Sequence, residues 1–337
     1  MATKRTNFSK SLTSIATAAG VSVSTVSKVL NGRSDVAPET RERVARLLRG
    51  HGYEVAPRSG IGVVDLLIGT LGSPWSDELV RGAITAAAET DISVIVSRVT
   101  SDEEFAHWLP VAAARGTLGV LSVLRQPGDA MLAGMERAHV PLVVIDPPAE
   151  PAPPGASVRS VGTTNWQGGL AAARHLIELG HRRIAIISGP HALWSCHARF
   201  DGYRSALRRA GLPADDSMVR TGDLSAADGR ELAGELLGLR EPPTAIVCGN
   251  DAQAFGVLQA LGERGLRCPD DVSVTGFDDV PIATWATPPL TTIRQPLAAM
   301  AATAFWMLTR PADTSVRPRH VELETTLVVR DSTAAPR

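Results

Sequence analysis

The chain has 337 residues, 44% of them hydrophobic, and a formal net charge of −1. That length accommodates more than one domain, the hydrophobic share is that of a globular protein, and no apolar run is long enough to span a bilayer. Three widely spaced cysteines (Cys196, Cys248, Cys268) form no CxxC pair, and the eight histidines show no HExxH spacing, which excludes a disulfide framework, a zinc site and any evident cofactor. The first residues, MATKRTNFSKS, are basic but are followed by no apolar signal core, so a cytoplasmic location off the membrane is expected.

Residues Ser11–Asn31 read as two short helices joined by a tight turn. Leu12, Ile15, Ala16 and Ala19 recur at i, i+3, i+4, i+7, with Ser11 placed to cap them. Gly20 breaks the helix, and Ser22 caps a second one. That helix turns Val26, Val29 and Leu30 inward and leaves Val23, Ser24 and Lys28 outward. In a helix-turn-helix, the start of the second helix reads base edges. Pro38 opens a third helix with the stripe Val44, Leu47, Leu48, ended by Gly52. Ala37 stands where a polar cap is usual, and Pro38 offsets that by preorganising the first turn. The core of this unit is very small, so DNA and the rest of the chain are expected to help order it. Ten basic against four acidic residues give +6 over 1–59, leaving −7 for the remainder. A basic head on an acidic body points to a polyanion partner.

The stretch GVSVSTVSKVLNGRSDVAPETRERV, with the order Ala-Ala-Gly-Val-Ser, Thr-Val-Ser, Val-Leu-Asn and Thr-Arg-Glu-Arg-Val from Ala18 on, closely resembles the DNA-binding head of LacI/GalR-type bacterial repressors. The resemblance implies that Val23, Ser24 and Lys28 meet base edges, Lys28 through a guanine and Val23 through a thymine methyl group. It implies that Ser22, Thr25, Ser27 and Asn31 touch phosphate or hold the helices. Members of that family usually carry a hinge helix reading like ARSL, whose Leu wedges into the minor groove. Here residues 54–60 read EVAPRSG, without that pattern and with Pro57 and Gly60 against a helix. Arg58 remains to meet phosphate or the minor groove. Operator bending is therefore expected to be weaker than is usual in the family; a strong central kink, read from gel mobility of permuted fragments, would contradict this.

From Ile61 the pattern changes. Strand-length apolar runs at 63–69, 92–97, 118–124, 141–146, 183–189, 244–250 and 271–279 alternate with helical segments such as Asp77–Glu89, Asn165–Leu179, Arg199–Ala210 and Ala252–Arg264. Short continuous apolar strands separated by helices predict parallel sheets covered on both faces, folded as two doubly wound units. The Pro-rich segment Pro147–Gly155 reads as a surface loop. HLIELGHRRIAIISGP, ARFDGYRSAL, GNDAQAFGVLQAL, PDDVSVTGFDD, PPLTTIRQP and LVVRDST extend the family resemblance over nearly the whole chain. The fold class so implied is an N-terminal three-helix helix-turn-helix head plus a two-lobed, periplasmic-binding-protein-like α/β effector core. The divisions are 1–53 for the head, 54–60 for the hinge and 61–337 for the effector domain. Lobe one takes about 61–163 and 294–320; lobe two takes about 164–293 and 321–331.

Ligands in open α/β sheets bind beyond the carboxyl ends of the strands, which in a two-lobed body face one cleft. The residues there are Trp75, Asp146, Trp166, Trp194, His197, Arg199, Asn250, Asp278, Trp285 and Gln295. Arg, Asp and Asn offer geometry-selective hydrogen bonds to vicinal hydroxyls, and indoles offer flat apolar faces, a combination suited to a sugar although a purine would also stack. Each has a plainer reading: Arg199 on the surface, Asp278 in a turn, Asn250 as a helix cap, the tryptophans as loop anchors. Trp108 and Trp306 fall in helical runs and read as core or interface.

The function so expected is a ligand-responsive DNA-binding regulator: a repressor, homodimeric on a pseudo-palindromic double-stranded operator and released by a small neutral sugar. No leucine-rich tetramer tail is seen. The alternative is a corepressor-type relative sensing a purine or another non-sugar metabolite. A sugar-processing enzyme is the remote one, because Cys196 and His197 are adjacent and diverge, and no GxSxG or Walker loop is present.

Overall fold

A computed structural model describes residues 12–30, 36–53, 62–123, 128–149, 158–310 and 319–337. The head consists of α1 (12–19), α2 (Val23–Leu30) and α3 (Pro38–Gly50). Leu12, Ile15, Ala16 and Ala19 pack with Val26, Val29, Val44, Ala45 and Leu48 in a core of their own. Gly20 sits at φ +65° with nothing near the place of a Cβ, so backbone freedom rather than space selects glycine there. The Ser22 hydroxyl accepts the Thr25 N–H at 3.2 Å, the cap the sequence calls for. Ala37 makes no side-chain cap, and Pro38 opens α3. Ser11, Asn31, Arg58 and the 54–60 hinge lie outside the described residues.

The body folds as two lobes. Lobe one runs β1 (Gly62–Ile68), α4 (Pro74–Ala87), β2 (Ile92–Arg98), α5 (Asp102–Arg115), β3 (Gly119–Val123), α6 (Asp129–Arg137), β4 (Leu142–Ile145) and β5 (Arg159–Thr163). Lobe two runs α7 (Asn165–Glu178), β6 (Ile184–Ser188), α8 (Trp194–Arg209), β7 (Val219–Thr221), α9 (Ala226–Leu237), β8 (Ala245–Cys248), α10 (Asp251–Glu263), β9 (Ser273–Asp278) and β10 (Thr291–Arg294). The chain then returns through α11 (Leu297–Thr309) and β11 (His320–Leu323) to lobe one, and ends with β12 (Thr326–Val328) in lobe two. The strand orders are β11-β5-β4-β3-β1-β2 and β12-β10-β9-β8-β6-β7. Pairing is parallel throughout except between β10 and β12. The apolar runs explain this: strands such as β3, β4, β6 and β8 are buried along their whole length, as strands covered by helices on both faces must be.

Strand pairing moves the expected lobe boundaries. β11 pairs with β5 over its full length, from His320↔Ser160 to Leu323↔Thr163, so 321–323 belong to lobe one. Arg294 closes β10 and belongs to lobe two. The Pro-rich segment is not all surface either: Pro147 is buried, and the Pro148 carbonyl accepts the Trp194 N–H of lobe two at 2.8 Å. The chain thus crosses between lobes near residues 164, 295 and 324, which places Thr163, Asn165 and Gln295 at the junction. The C-terminal residues strap lobe two: the Ser332 hydroxyl donates to the Val274 carbonyl at 2.6 Å, and buried His181, just past α7, reaches Thr244, Ser273 and the Ala334 carbonyl.

Candidate functional site

Arg199 is the centre of a buried polar cluster at the carboxyl ends of the strands. α7 and α8 approach backbone to backbone: a Cβ at Gly169 would lie 2.1 Å from the Arg199 carbonyl oxygen. That contact sets the Arg199 side chain against the start of α7. Its Nε donates to Asn165 Oδ1 at 2.8 Å and its Nη1 to the Gly249 carbonyl at 2.8 Å. The guanidinium carbon lies 3.8 Å from the centre of the Phe277 ring, which covers one face of the cation. Nη1 is 4.0 Å from Asp278 Oδ1. No hydrogen bond within the described residues engages Arg199 Nη2 or Asp278 Oδ2, so each side chain keeps one polar atom uncommitted.

Two buried carboxyls flank this cation. Asp278 ends β9 at φ +110°, and Asp146 follows β4 at φ +50°. Burial pushes the Asp278 carboxyl up to about 7, against the pull of Arg199 and the Gln295 hydrogen bond and with help from Asp146. Burial also raises Asp146, which Arg199 and a Ser195 hydrogen bond pull back. Gln295 joins the lobes: its Oε1 accepts the Thr163 hydroxyl at 2.7 Å and its Nε2 donates to Asp278 Oδ1 at 2.6 Å. Asp146, Arg199, Asp278 and Gln295 of the sequence-derived set are therefore brought together.

Of the other six, only Trp285 borders the cleft next to this cluster. Trp194 and His197 share a face of α8, three residues apart with ring centres 6.3 Å from each other, while Arg199 and Ser195, four apart, share a different face. His197 pairs instead with Asp201 at 3.4 Å. Asn250 is a helix cap, its Oδ1 accepting the Gln253 N–H at 2.8 Å while its Nδ2 donates to the Leu224 carbonyl. The Arg209 guanidinium, at the far end of α8, lies 5.7 Å from the Trp166 ring. Trp75, at the start of α4, packs on the lobe-one core. Trp285 is 76% exposed and lines an open cleft of about 580 Å³ that also touches Asp278, Gln295, Arg81, Arg294 and Arg330.

In the head, Val23 and Ser24 are exposed on α2 while Val26 and Val29 are buried, so one short helix holds the core and presents its opening residues. Ser22 lies at its start, bonded to Ser24 and Thr25. Ser27 and Lys28 follow at intermediate depth.

The family model for bacterial regulatory proteins of the lacI family matches residues 11–55, and that for the periplasmic binding protein-like domain matches 173–333. The HTH-type transcriptional repressor CytR of Escherichia coli is 30% identical over 316 residues, covering 91% of each chain. The chain belongs to the lacI family. The HTH-type transcriptional regulator CelR of Thermobifida fusca is 32% identical over 331 residues, covering 94% of this chain and 96% of its own. A solved structure of a CelR–cellobiose complex superposes with a TM-score of 0.72 at 32% identity, covering 95% of this chain and 99% of that one.

This lacI-family protein is a ligand-responsive transcriptional repressor. The two matched segments cover the helical head and, from residue 173, most of lobe two with Arg199 and Asp278, together with α11 and β11 of lobe one. Among the described residues no helix is long and apolar enough to cross a membrane. Sequence reasoning left Thr163, Asn165, Ser195 and Phe277 out of the candidate site. A signal existed for two of them: Ser195 lies one helical turn before Arg199, and Asn165 opens the helix after a lobe crossing.

Proposed function

We propose that the effector is a small neutral sugar, and that its binding between the lobes releases a homodimer from a pseudo-palindromic operator. The carrying observation is the Arg199–Asp278 pair. Nε and Nη1 of the guanidinium and Oδ1 of the carboxyl are held by the protein, which leaves Nη2 and Oδ2 to bridge neighbouring hydroxyls. Arg199 is flanked by two carboxyls, Asp146 and Asp278, whose ionisation a phosphate would oppose, whereas the hydroxyls of a neutral ligand suit either protonation state. The cellobiose held by the CelR structure is in keeping with this reading. On the DNA side, Val23, Ser24 and Lys28 meet base edges, while Ser22, Thr25, Ser27 and Asn31 meet phosphate or hold the helices, and Arg58 meets phosphate or the minor groove.

The test is the thermal midpoint of the full chain against cellobiose, other neutral mono- and oligosaccharides, sugar phosphates and purines. A specific binder adds about 2.7 kcal/mol of stability at a hundredfold excess over its dissociation constant, and so raises the midpoint. A rise with a neutral sugar that also releases operator DNA is the expected result. A rise with purines alone, or tighter DNA binding on ligand addition, overturns the sugar-induced reading.

A further inference from the structure

The recognition carboxyl stands on strained backbone. Asp278 and Asp279 are consecutive non-glycine residues at φ +110° and φ +57°, a region that L side chains rarely occupy unless neighbours enforce it. Three sets of contacts enforce it. The Gln295 N–H donates to the Asp278 carbonyl at 3.1 Å, and its Nε2 holds the side chain. Arg294 Nε and Arg330 Nη2 hold the two oxygens of Asp279 at 2.7 and 2.6 Å. The next residue, Val280, donates its N–H to Asp251 Oδ2 at 2.9 Å.

Asp251 is the unexpected member. It is buried at the start of α10, yet it does not cap that helix, because Asn250 does. Its second oxygen accepts the Thr292 hydroxyl at 2.5 Å. A Cβ at Gly276 would come within 2.2 Å of Asp251 Oδ1, so the strand leaves room for this carboxyl and nothing larger. A buried carboxyl that faces two donors and sits beneath a strained turn serves that turn.

We propose that Asp251 is a positioning residue for effector recognition: through the Val280 N–H it locks the left-handed Asp278–Asp279 turn, and so aims the Asp278 carboxyl at Arg199 without touching the ligand. The proposal rests on the reading that Arg199 and Asp278 take the effector. Burial and the neighbouring Asp278 raise Asp251 well above the ordinary carboxylate range. Asparagine keeps an acceptor for Val280 and can donate to the Thr292 hydroxyl. Alanine does neither.

The experiment follows aspartate carboxyl carbons by NMR through a pH titration of the full chain, with the Asp278 signal assigned by its loss in Asp278→Asn. Cellobiose titrations run in parallel. In the wild type Asp278 titrates at about 7. In Asp251→Ala the turn relaxes, Asp278 reaches water, and its midpoint falls toward about 4. Cellobiose binding weakens about tenfold or more, the scale of one lost charge-assisted hydrogen bond. Asp251→Asn keeps both readouts near wild type. Should Asp251→Ala fail to fold, Thr292→Val, which frees one oxygen of Asp251, moves the Asp278 midpoint the same way by a smaller amount. An unmoved midpoint in the folded loss variants overturns the proposal. So does an asparagine variant that behaves like alanine, because the effect is then charge and not position. If cellobiose does not bind the wild type, the sugar reading loses support while the titration still decides the role of Asp251.

Discussion

Arg199→Ala is expected to lower the thermal midpoint of the effector domain by on the order of 10 °C and to remove the effector response, while the repressor still binds operator DNA. The variant leaves Asn165 Oδ1 and the Gly249 carbonyl without their donor and the Asp146 and Asp278 carboxyls without their cation. Breaking a buried pair by removing one partner costs about 3–5 kcal/mol, and a domain of this size loses roughly 2–4 °C per kcal/mol. Protonation of the two acids limits the loss, since both are already easy to neutralise. The head has its own core, from Leu12 to Leu48, and does not share the damage. Arg199→Lys is expected to fare little better, because a point charge cannot reproduce a fork that reaches Asn165 and Gly249 at once. Unfolding followed by circular dichroism gives the first readout. Fluorescence anisotropy on labelled operator, with and without effector, gives the second. A variant that still releases DNA on effector addition would show that Arg199 is only a structural tie.

Much of this was legible in the sequence where burial had written it. Strands with continuous apolar runs, such as Ile184–Ser188 and Ala245–Cys248, announce a two-faced sheet. The edge and return strands did not: β7 reads VRT and β11 reads HVEL, with half-buried and exposed positions that resemble loop. That is why only strand pairing, and not sequence pattern, sets the lobe boundary near 320. Within the site, strand ends located Asp146, Asp278 and Gln295 because topology alone fixes them. Residues on helices were harder. Trp194 and Arg199 lie five residues apart, about 140° around α8, so proximity in sequence placed them together and rotation separates them. Asn250 shows the other ambiguity: the side chain that suits a hydroxyl also suits a helix N–H, and the backbone took it. Asn165 and Ser195 matter only through Arg199 and Asp146, and no local pattern reports a partner on another element.

The second large effect is a stability that falls as pH rises. Asp278 titrates at about 7 in the folded chain against an unfolded value of 3.8, so the folded state holds a proton that the unfolded state gives up. The associated stabilisation is full below about pH 4 and is lost as pH climbs to about 7. At 1.36 kcal/mol per pKa unit the whole effect is about 4 kcal/mol, of which roughly 2–3 kcal/mol falls between pH 5 and pH 8. Asp146 and Asp251 are raised for the same reason and carry the same sign. Two histidines oppose them. Burial lowers His175 and His181, which therefore lose stability as pH drops below about 6.5 and are silent above it. The raw curve mixes both signs below pH 6.5; the difference between wild type and Asp278→Asn cancels the histidines. That difference is expected to shrink by about 5–10 °C of thermal midpoint from pH 5 to pH 8. A difference that stays flat across that range would mean that Asp278 is already ionised at pH 5, and that Arg199 and Gln295 outweigh its burial.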